Sequence, residues 1–107
     1  MQQLSPHQLA EWLADPGRGK PVLLDVREPW EFRICSIRDS LHIPMAAVPG
    51  RQAEMDPEAD TVVICHHGAR SFQVGLFLEN AGFRKVYNLN GGVDGWSKQV
   101  EPSMPQY

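Results

Sequence analysis

Two short and almost wholly apolar runs, residues 22–26 and 61–65, constrain the fold of this chain more than any other feature. Runs of this length are typical of strands that are buried on both faces of a parallel sheet. Helical patterns alternate with the apolar runs along the chain, and parallel strands need crossover segments of that kind. The sequence therefore predicts an α/β fold with a mostly parallel sheet and helices on both faces.

The composition predicts one globular domain over residues 1–107, in which 99–107, with Pro102 and Pro105, form an extended or flexible tail. The formal net charge is −3, so no overall basic surface favours nucleic acid as a partner. No apolar stretch reaches the roughly 18–20 residues of a membrane helix. The first residues lack a basic segment and an apolar core, so we expect no signal peptide and a cytoplasmic protein.

Local sequence patterns predict the other helices and strands. Ser5, Pro6 and Gln8 form a capping box with proline at the first helical position. A further helix is expected over 71–80, where Phe72, Leu76 and Phe77 share a face. Further predictions are a weak strand at 41–43, a loop with a helical turn or two at 45–60, a strand at 85–89 and a short helix at 93–97 around Trp96.

Cys65 carries the chemistry predicted for this chain. It ends an apolar strand and precedes a helix, and the carboxyl edge of a parallel sheet is where α/β proteins bind ligands. Loop amides and a helix N-terminus favour an anion, which here is a nucleophilic thiolate. Arg70 either lines the pocket or pairs with a carboxylate, and Ser71 either caps the helix or donates to the sulfur. The predicted substrate-binding residues are His66, His67, Gly68, Ala69, Arg70 and Ser71.

The strand ends are expected to bring Asp25, His42, Cys65 and Asn90 to one edge of the sheet. Asp25 can accept loop amides there, and Arg27 is expected to pair with Glu28 or Glu31. A metal held by Cys65, His66 and His67 is not predicted, because adjacent residues rarely reach one ion together.

Four segments carry a family resemblance. Residues 25–32 are similar to D-V-R-E-x-x-E-F/Y, and residues 41–44 to x-N-I-P with His42 in place of asparagine. Residues 65–71 resemble an active-site loop of the form C-x-x-G-x-R-S, and 91–96 resemble G-G-x-x-x-W. In this order they resemble the rhodanese-like domains.

The resemblance implies a five-stranded parallel sheet between helices, with residues 2–4 as the fifth strand. It also implies a single-domain sulfurtransferase without metal or organic cofactor. It further implies that Cys65 takes sulfane sulfur from thiosulfate or a related donor as a persulfide. The expected acceptor of that sulfur is cyanide or a thiol, for which a thioredoxin-like protein is a candidate.

One segment departs from the family pattern. Cys35 and Asp39 occupy positions where the family has glycine in G-H-I-x-G-A. Cys35 is either a tolerated small residue or a second thiol that receives sulfur from Cys65.

Two rival functions stand beside the sulfurtransferase. The first is a non-catalytic sulfur carrier or protein-interaction module, which the cysteine loop does not distinguish from a catalyst. The second is a cysteine-dependent phosphatase or arsenate reductase. The phosphatase loop has one residue more between cysteine and arginine than the four residues here, so the spacing favours sulfur transfer.

Overall fold

A computed structural model describes all residues from 1 to 107, and its centre is a five-stranded parallel sheet of order β1-β5-β4-β2-β3. The strands are β1 (Gln2–Leu4), β2 (Val22–Asp25), β3 (Leu41–His42), β4 (Thr61–Ile64) and β5 (Val86–Leu89). The helices are α1 (Pro6–Ala14), α2 (Pro29–Ile34), α3 (Val48–Arg51), α4 (Ala69–Asn80) and α5 (Gly92–Gln99). The α/β fold predicted from the apolar runs is confirmed, as is the fifth strand implied by the family resemblance.

The central strand β4 shows why its sequence is apolar throughout. Val62 and Ile64 face one hydrophobic cluster, whereas Val63 and the following Cys65 face another. All four residues of β4 are buried because helices cover both faces of the sheet. Cys65 therefore leaves the sheet at its carboxyl edge, with its backbone position fixed by a fully buried strand.

The helix starts agree with the sequence signals. Ser5 accepts the Gln8 N–H and the Ser5 backbone N–H donates to the Gln8 side chain, which completes the predicted capping box of α1. Residues 45–60, for which a loop with a helical turn or two is predicted, contain α3 and two flanking 3₁₀ turns, so residues 45–54 are helical and the rest is irregular. No helix of the structure has the length and apolar character that a bilayer crossing requires.

The inward face of α4 differs from the one that apolar residues suggest. Phe72, Leu76 and Phe77 do share a face, but that face is exposed. The buried residues of α4 are Ser71, Val74, Gly75 and Leu78. Helix α4 packs on the sheet through the side that carries Val74 and Leu78, so its phenylalanines are left on the outer side.

The last residues pack against the domain although they form no helix or strand. Met104 is buried in the cluster that contains Trp96, and the Tyr107 ring stacks on His66 with a centroid distance of 4.0 Å. The tail predicted as extended or flexible over 99–107 thus forms no helix or strand beyond Gln99, but Met104 and Tyr107 pack it against the domain. The sequence does not predict its packing, because no periodicity identifies an isolated anchor residue.

Candidate active site

The sulfur of Cys65 lies in a loop that joins β4 to α4. Gly68 adopts φ = +113° and is the N-cap of α4, so the chain turns back over the sulfur before the helix begins. The Gly68 N–H donates to Sγ at 3.0 Å, and the Ser71 hydroxyl lies 3.3 Å from Sγ. Cys65 is only 1% exposed. The sulfur is thus held by neutral dipoles inside a tight turn.

Asn88 connects this turn to the sheet. The Ser71 hydroxyl donates to Asn88 Oδ1, and Asn88 Nδ2 donates to the Gly68 carbonyl at 3.2 Å and to Gln3 Oε1 at 3.0 Å. Ser71 therefore contacts the sulfur from within α4 and is not its cap. The sequence reasoning missed Asn88, although an asparagine inside an apolar strand paired with Val63 is a usable signal.

Arg70 forms a two-bond ion pair with a buried carboxylate. Its Nη1 and Nη2 donate to Glu31 Oε1 and Oε2 at 2.7 and 2.9 Å. The hydrogen bonds from Arg70 are the main reason that the pKa of Glu31 falls from 4.5 to about 2, against the opposing effect of burial. Of the two roles expected for Arg70, the structure shows the pairing with a carboxylate. This pairing fixes the loop to α2.

Arg27 has a different partner from the one predicted. It forms a fully buried ion pair with Asp25 at 2.7 Å and reaches only the backbone carbonyl of Glu31, not its carboxylate. Burial lowers the pKa of Arg27, but its hydrogen bonds to Asp25 and Tyr107 outweigh burial and raise it. The Glu31 carboxylate is occupied by Arg70, so the expected pairing of Arg27 with Glu28 or Glu31 is wrong.

Tyr107 links the two ion pairs. Arg27 Nη1 donates to the Tyr107 hydroxyl at 2.9 Å, and that hydroxyl donates to Glu31 Oε2 at 2.8 Å. Burial is the main cause that raises the pKa of Tyr107 to about 12, so the hydroxyl keeps its proton at neutral pH. A charge ladder, defined as Asp25, Arg27, Tyr107, Glu31 and Arg70, thus runs from the sheet edge to the loop.

A second loop closes on the first. The Val93 N–H donates to the Cys65 carbonyl at 2.9 Å, and the Asp94 N–H donates to the His66 carbonyl at 3.1 Å. Gly92 adopts φ = +57°, and a Cβ there would collide with both carbonyl oxygens. Gly92 is therefore needed for the start of α5 to dock on the Cys65 loop.

The two histidines of the loop lie on its outer side. The His66 ring stacks on Tyr107 and contacts the His67 ring at a tilt of 33°, and burial is the main cause that lowers the pKa of His66. The His67 side chain is 66% exposed, and Ala69 is exposed. The structure brings all six predicted loop residues around Cys65, but only the Gly68 amide and the Ser71 hydroxyl reach the sulfur. Their roles in substrate binding stay predictions.

Two of the predicted strand-end residues have other roles. His42 Nε2 lies 2.7 Å from the Arg27 carbonyl, and the His42 ring stacks on Phe32. Asn90 is exposed, and its N–H donates to the Leu4 carbonyl. His42 therefore supports the turn that carries Arg27, and the side chain that reaches the loop from β5 is that of Asn88.

The segment that departs from the family pattern keeps its turn by two different means. Cys35 has extended backbone with φ = −160°, which any residue adopts. Asp39 has φ = +67° and is the only non-glycine residue with positive φ. Aspartate enters this left-handed region more easily than most residues. The second family glycine is thus replaced by a residue that tolerates its conformation.

Cys35 packs away from the Cys65 sulfur. It is buried in the cluster with Val62 and Ile64, on the face of the sheet opposite to Cys65 and Val63. Its Sγ lies 3.8 Å from Arg27 Nη1. Both cysteines are free thiols.

Sequence comparisons identify relatives over nearly the whole chain. The model of the Rhodanese-like domain family matches residues 5–99. A sulfurtransferase of Allochromatium vinosum is 34% identical over 94% of this chain and 92% of its own length. Thiosulfate sulfurtransferase GlpE of Actinobacillus pleuropneumoniae serotype 3 is 31% identical over 98% and 94%. A chloroplastic rhodanese-like/PpiC domain-containing protein of Arabidopsis thaliana is 40% identical over 79% of this chain, which spans only 30% of that protein.

Solved structures agree with the fold. A rhodanese-related protein from Thermoplasma volcanium has a TM-score of 0.84 and 27% identity, with 95% of this chain and 96% of that chain covered. A thiosulfate sulfurtransferase from Pseudomonas aeruginosa has a TM-score of 0.79 and 30% identity, and the match covers 92% of this chain and 19% of that one. These relatives support sulfurtransferase activity in general terms.

Proposed function

The chain belongs to the rhodanese-like domain family, and from this premise we propose that it moves sulfane sulfur from thiosulfate or a related donor to a thiol through a persulfide on Cys65. The observation that carries the proposal is the environment of the Cys65 sulfur. Sγ accepts a hydrogen bond from the Gly68 N–H at 3.0 Å and lies beside the N-terminus of α4. Such an environment stabilises a sulfur anion without a metal or a cofactor.

The reaction consists of two transfers. The Cys65 thiolate attacks the outer sulfur of thiosulfate, a new S–S bond forms, and the donor's S–S bond breaks so that sulfite leaves with the electron pair. An acceptor thiolate, or cyanide in an assay, then attacks the terminal sulfur and releases the Cys65 thiolate. Because the enzyme is covalently modified between the transfers, we expect ping-pong kinetics. The acceptor we propose is a cytoplasmic thiol, such as that of a thioredoxin-like protein.

Neutral hydrogen-bond donors can stabilise both the Cys65 thiolate and the anionic Cys65 persulfide. The Gly68 N–H is fixed by the backbone, and the Ser71 hydroxyl has one proton that it can direct to Asn88 Oδ1 or to Sγ. When the sulfur is charged, rotation of that hydroxyl offers it a second donor at little reorganisation cost. Asn88 keeps the Gly68 peptide in place during this exchange through its bond to the Gly68 carbonyl.

Thiosulfate treatment followed by mass spectrometry tests the proposal. We expect one added sulfur on Cys65 in the native protein and cyanide-dependent removal of it. Cys65→Ser is expected to lose both loading and turnover, since a hydroxyl without an adjacent base is a poor nucleophile. Absence of sulfur on Cys65 with every sulfane donor tested, or sulfur only on Cys35, would overturn the mechanism.

The same assay separates catalyst from carrier. With thiosulfate and cyanide present, a catalyst releases many equivalents of product per protein. A carrier takes up one sulfur and releases it only to a specific partner protein. The loop of four residues between Cys65 and Arg70 also fits a sulfur atom better than a tetrahedral oxyanion. We therefore expect negligible hydrolysis of aryl phosphates. Phosphatase activity that Cys65→Ser abolishes would favour the rival enzyme class.

A further inference from the structure

Three potential metal ligands meet on the outer side of the Cys65 loop. His66, His67 and Asp94 each offer one ligand atom, and these three atoms all lie within 4.8 Å of one another. Adjacent histidines alone do not favour a metal, and the neighbouring ligand in the sequence is Cys65. The Cys65 sulfur is buried in the turn and does not belong to this cluster. The third ligand is the carboxylate of Asp94, from the start of α5.

The backbone holds these ligands together. The Asp94 N–H donates to the His66 carbonyl at 3.1 Å, so Asp94 is tied to the loop that carries both histidines. Gly92 permits this close approach, because any side chain there collides with the loop carbonyls. The three donors are thus brought together by the fold, and only side-chain rotations are left to adjust.

The donor chemistry identifies the class of ion. Two imidazoles and one carboxylate are a common three-ligand set for Zn²⁺, with water or substrate in the fourth position. Two ligand atoms about 2.0–2.1 Å from one Zn²⁺ lie at most about 4.2 Å apart. His67 Nε2 and Asp94 Oδ2 are 3.9 Å apart, so small side-chain rotations bring the donors to bonding distance. We propose that His66, His67 and Asp94 form a binding site for a divalent transition-metal ion, represented by Zn²⁺.

One neighbouring side chain competes with a metal ion for Asp94. Lys98 Nζ lies 3.0 Å from Asp94 Oδ2, whereas His67 Nε2 lies 3.9 Å from the same oxygen. A metal ion must displace this exposed ammonium, so Lys98 weakens the site.

Zn²⁺ titration of the tag-free native protein tests the site. Calorimetry should give one Zn²⁺ per chain, and Co²⁺ should give a visible absorption band that Zn²⁺ removes. His67→Ala and Asp94→Asn should each weaken Zn²⁺ binding about tenfold or more. His7→Ala, which removes an exposed histidine of α1, is the matched control and should bind like the native protein.

Two further variants make the test specific. Lys98→Ala should tighten Zn²⁺ binding several-fold, because it removes the competing charge, and no general loss of folding produces that result. Cys65→Ser should bind Zn²⁺ like the native protein. The site is ruled out if native protein binds no Zn²⁺, if His67→Ala and Asp94→Asn bind as tightly as His7→Ala, or if Cys65→Ser alone abolishes binding. None of these readouts depends on sulfur transfer.

Discussion

The two cysteines have different electrostatic surroundings. The Cys65 sulfur contacts a glycine amide and a serine hydroxyl, whereas the Cys35 sulfur lies 3.8 Å from the guanidinium of Arg27. A rule that places the reactive thiol beside a cation would select Cys35. However, Arg27 is neutralised by Asp25, and Arg70 by Glu31. Oriented dipoles at a helix N-terminus therefore distinguish the proposed nucleophile, and the charges hold the loop in place.

Arg70 therefore has a structural role in the Cys65 loop. Its two hydrogen bonds to Glu31 fix both partners, and Tyr107 binds the same carboxylate from the other side. Because Glu31 balances the charge of Arg70 and accepts its two hydrogen bonds, Arg70 attracts a dianionic sulfur donor less strongly than an unpaired arginine does. Loop geometry at Cys65 and charge pairing along the ladder are thus separable by mutation.

Gly92→Ala should have the largest effect, because it breaks the loop geometry around Cys65 itself. The new Cβ collides with the Cys65 and His66 carbonyls at a positive φ, so we expect at least about 3 kcal/mol of destabilisation. Residual folded protein should load little sulfur. Gly19→Ala is the control, since nothing lies within 4 Å of a Cβ there. Native-like denaturation of Gly92→Ala would contradict the close docking of the two loops.

Glu31→Gln tests the charge ladder through pH. The folded pKa of Glu31, about 2, is below its ordinary 4.5, so its stabilising contribution is present above pH 4.5 and is lost as the pH falls towards 2. The shift corresponds to at most about 3 kcal/mol, and screening at the partly exposed Arg70 reduces it.

Denaturation at several pH values measures this contribution. Between pH 5 and 2 the free energy of unfolding should fall more steeply for the native protein than for Glu31→Gln. Glu54→Gln, which breaks the exposed pair with Arg51, should leave the native slope nearly unchanged. Equal slopes for native protein and Glu31→Gln would show that Glu31 and Arg70 form no strong ion pair.

Tyr107→Phe tests the link between the two ion pairs. The ring can still stack on His66, but Arg27 loses an acceptor and Glu31 loses a donor. We expect a loss of about 1–2 kcal/mol in unfolding free energy and a modest fall in the rate of sulfur loading. Tyr87→Phe, whose hydroxyl donates to Asp60 outside the ladder, is the control. A loading rate unchanged from that control would separate Tyr107 from the loop.

The sequence predicted the fold and the loop because both depend on local signals. The apolar runs identified β2 and β4, and Cys65, Gly68 and Ser71 follow within one turn of a helix start. The partners of the loop come from distant segments, and Glu31, Asn88 and Tyr107 meet it only through the fold. The buried side of α4 was also missed, because Val74 and Leu78 compete in the sequence with a second apolar face formed by Phe72, Leu76 and Phe77.

Cys35→Ala should have the smallest effect and tests the comparison of the two thiols directly. Cys35 packs on the face of the sheet opposite to Cys65, so it is not placed to receive sulfur from Cys65 in this conformation. Removing its buried sulfur should cost about 1 kcal/mol of stability. Loading of Cys65 and cyanide-coupled turnover should stay near native, as measured by mass spectrometry and steady-state kinetics. If loading persists while transfer to thiols collapses, Cys35 is a resolving thiol and the sheet must open to bring the two sulfurs together.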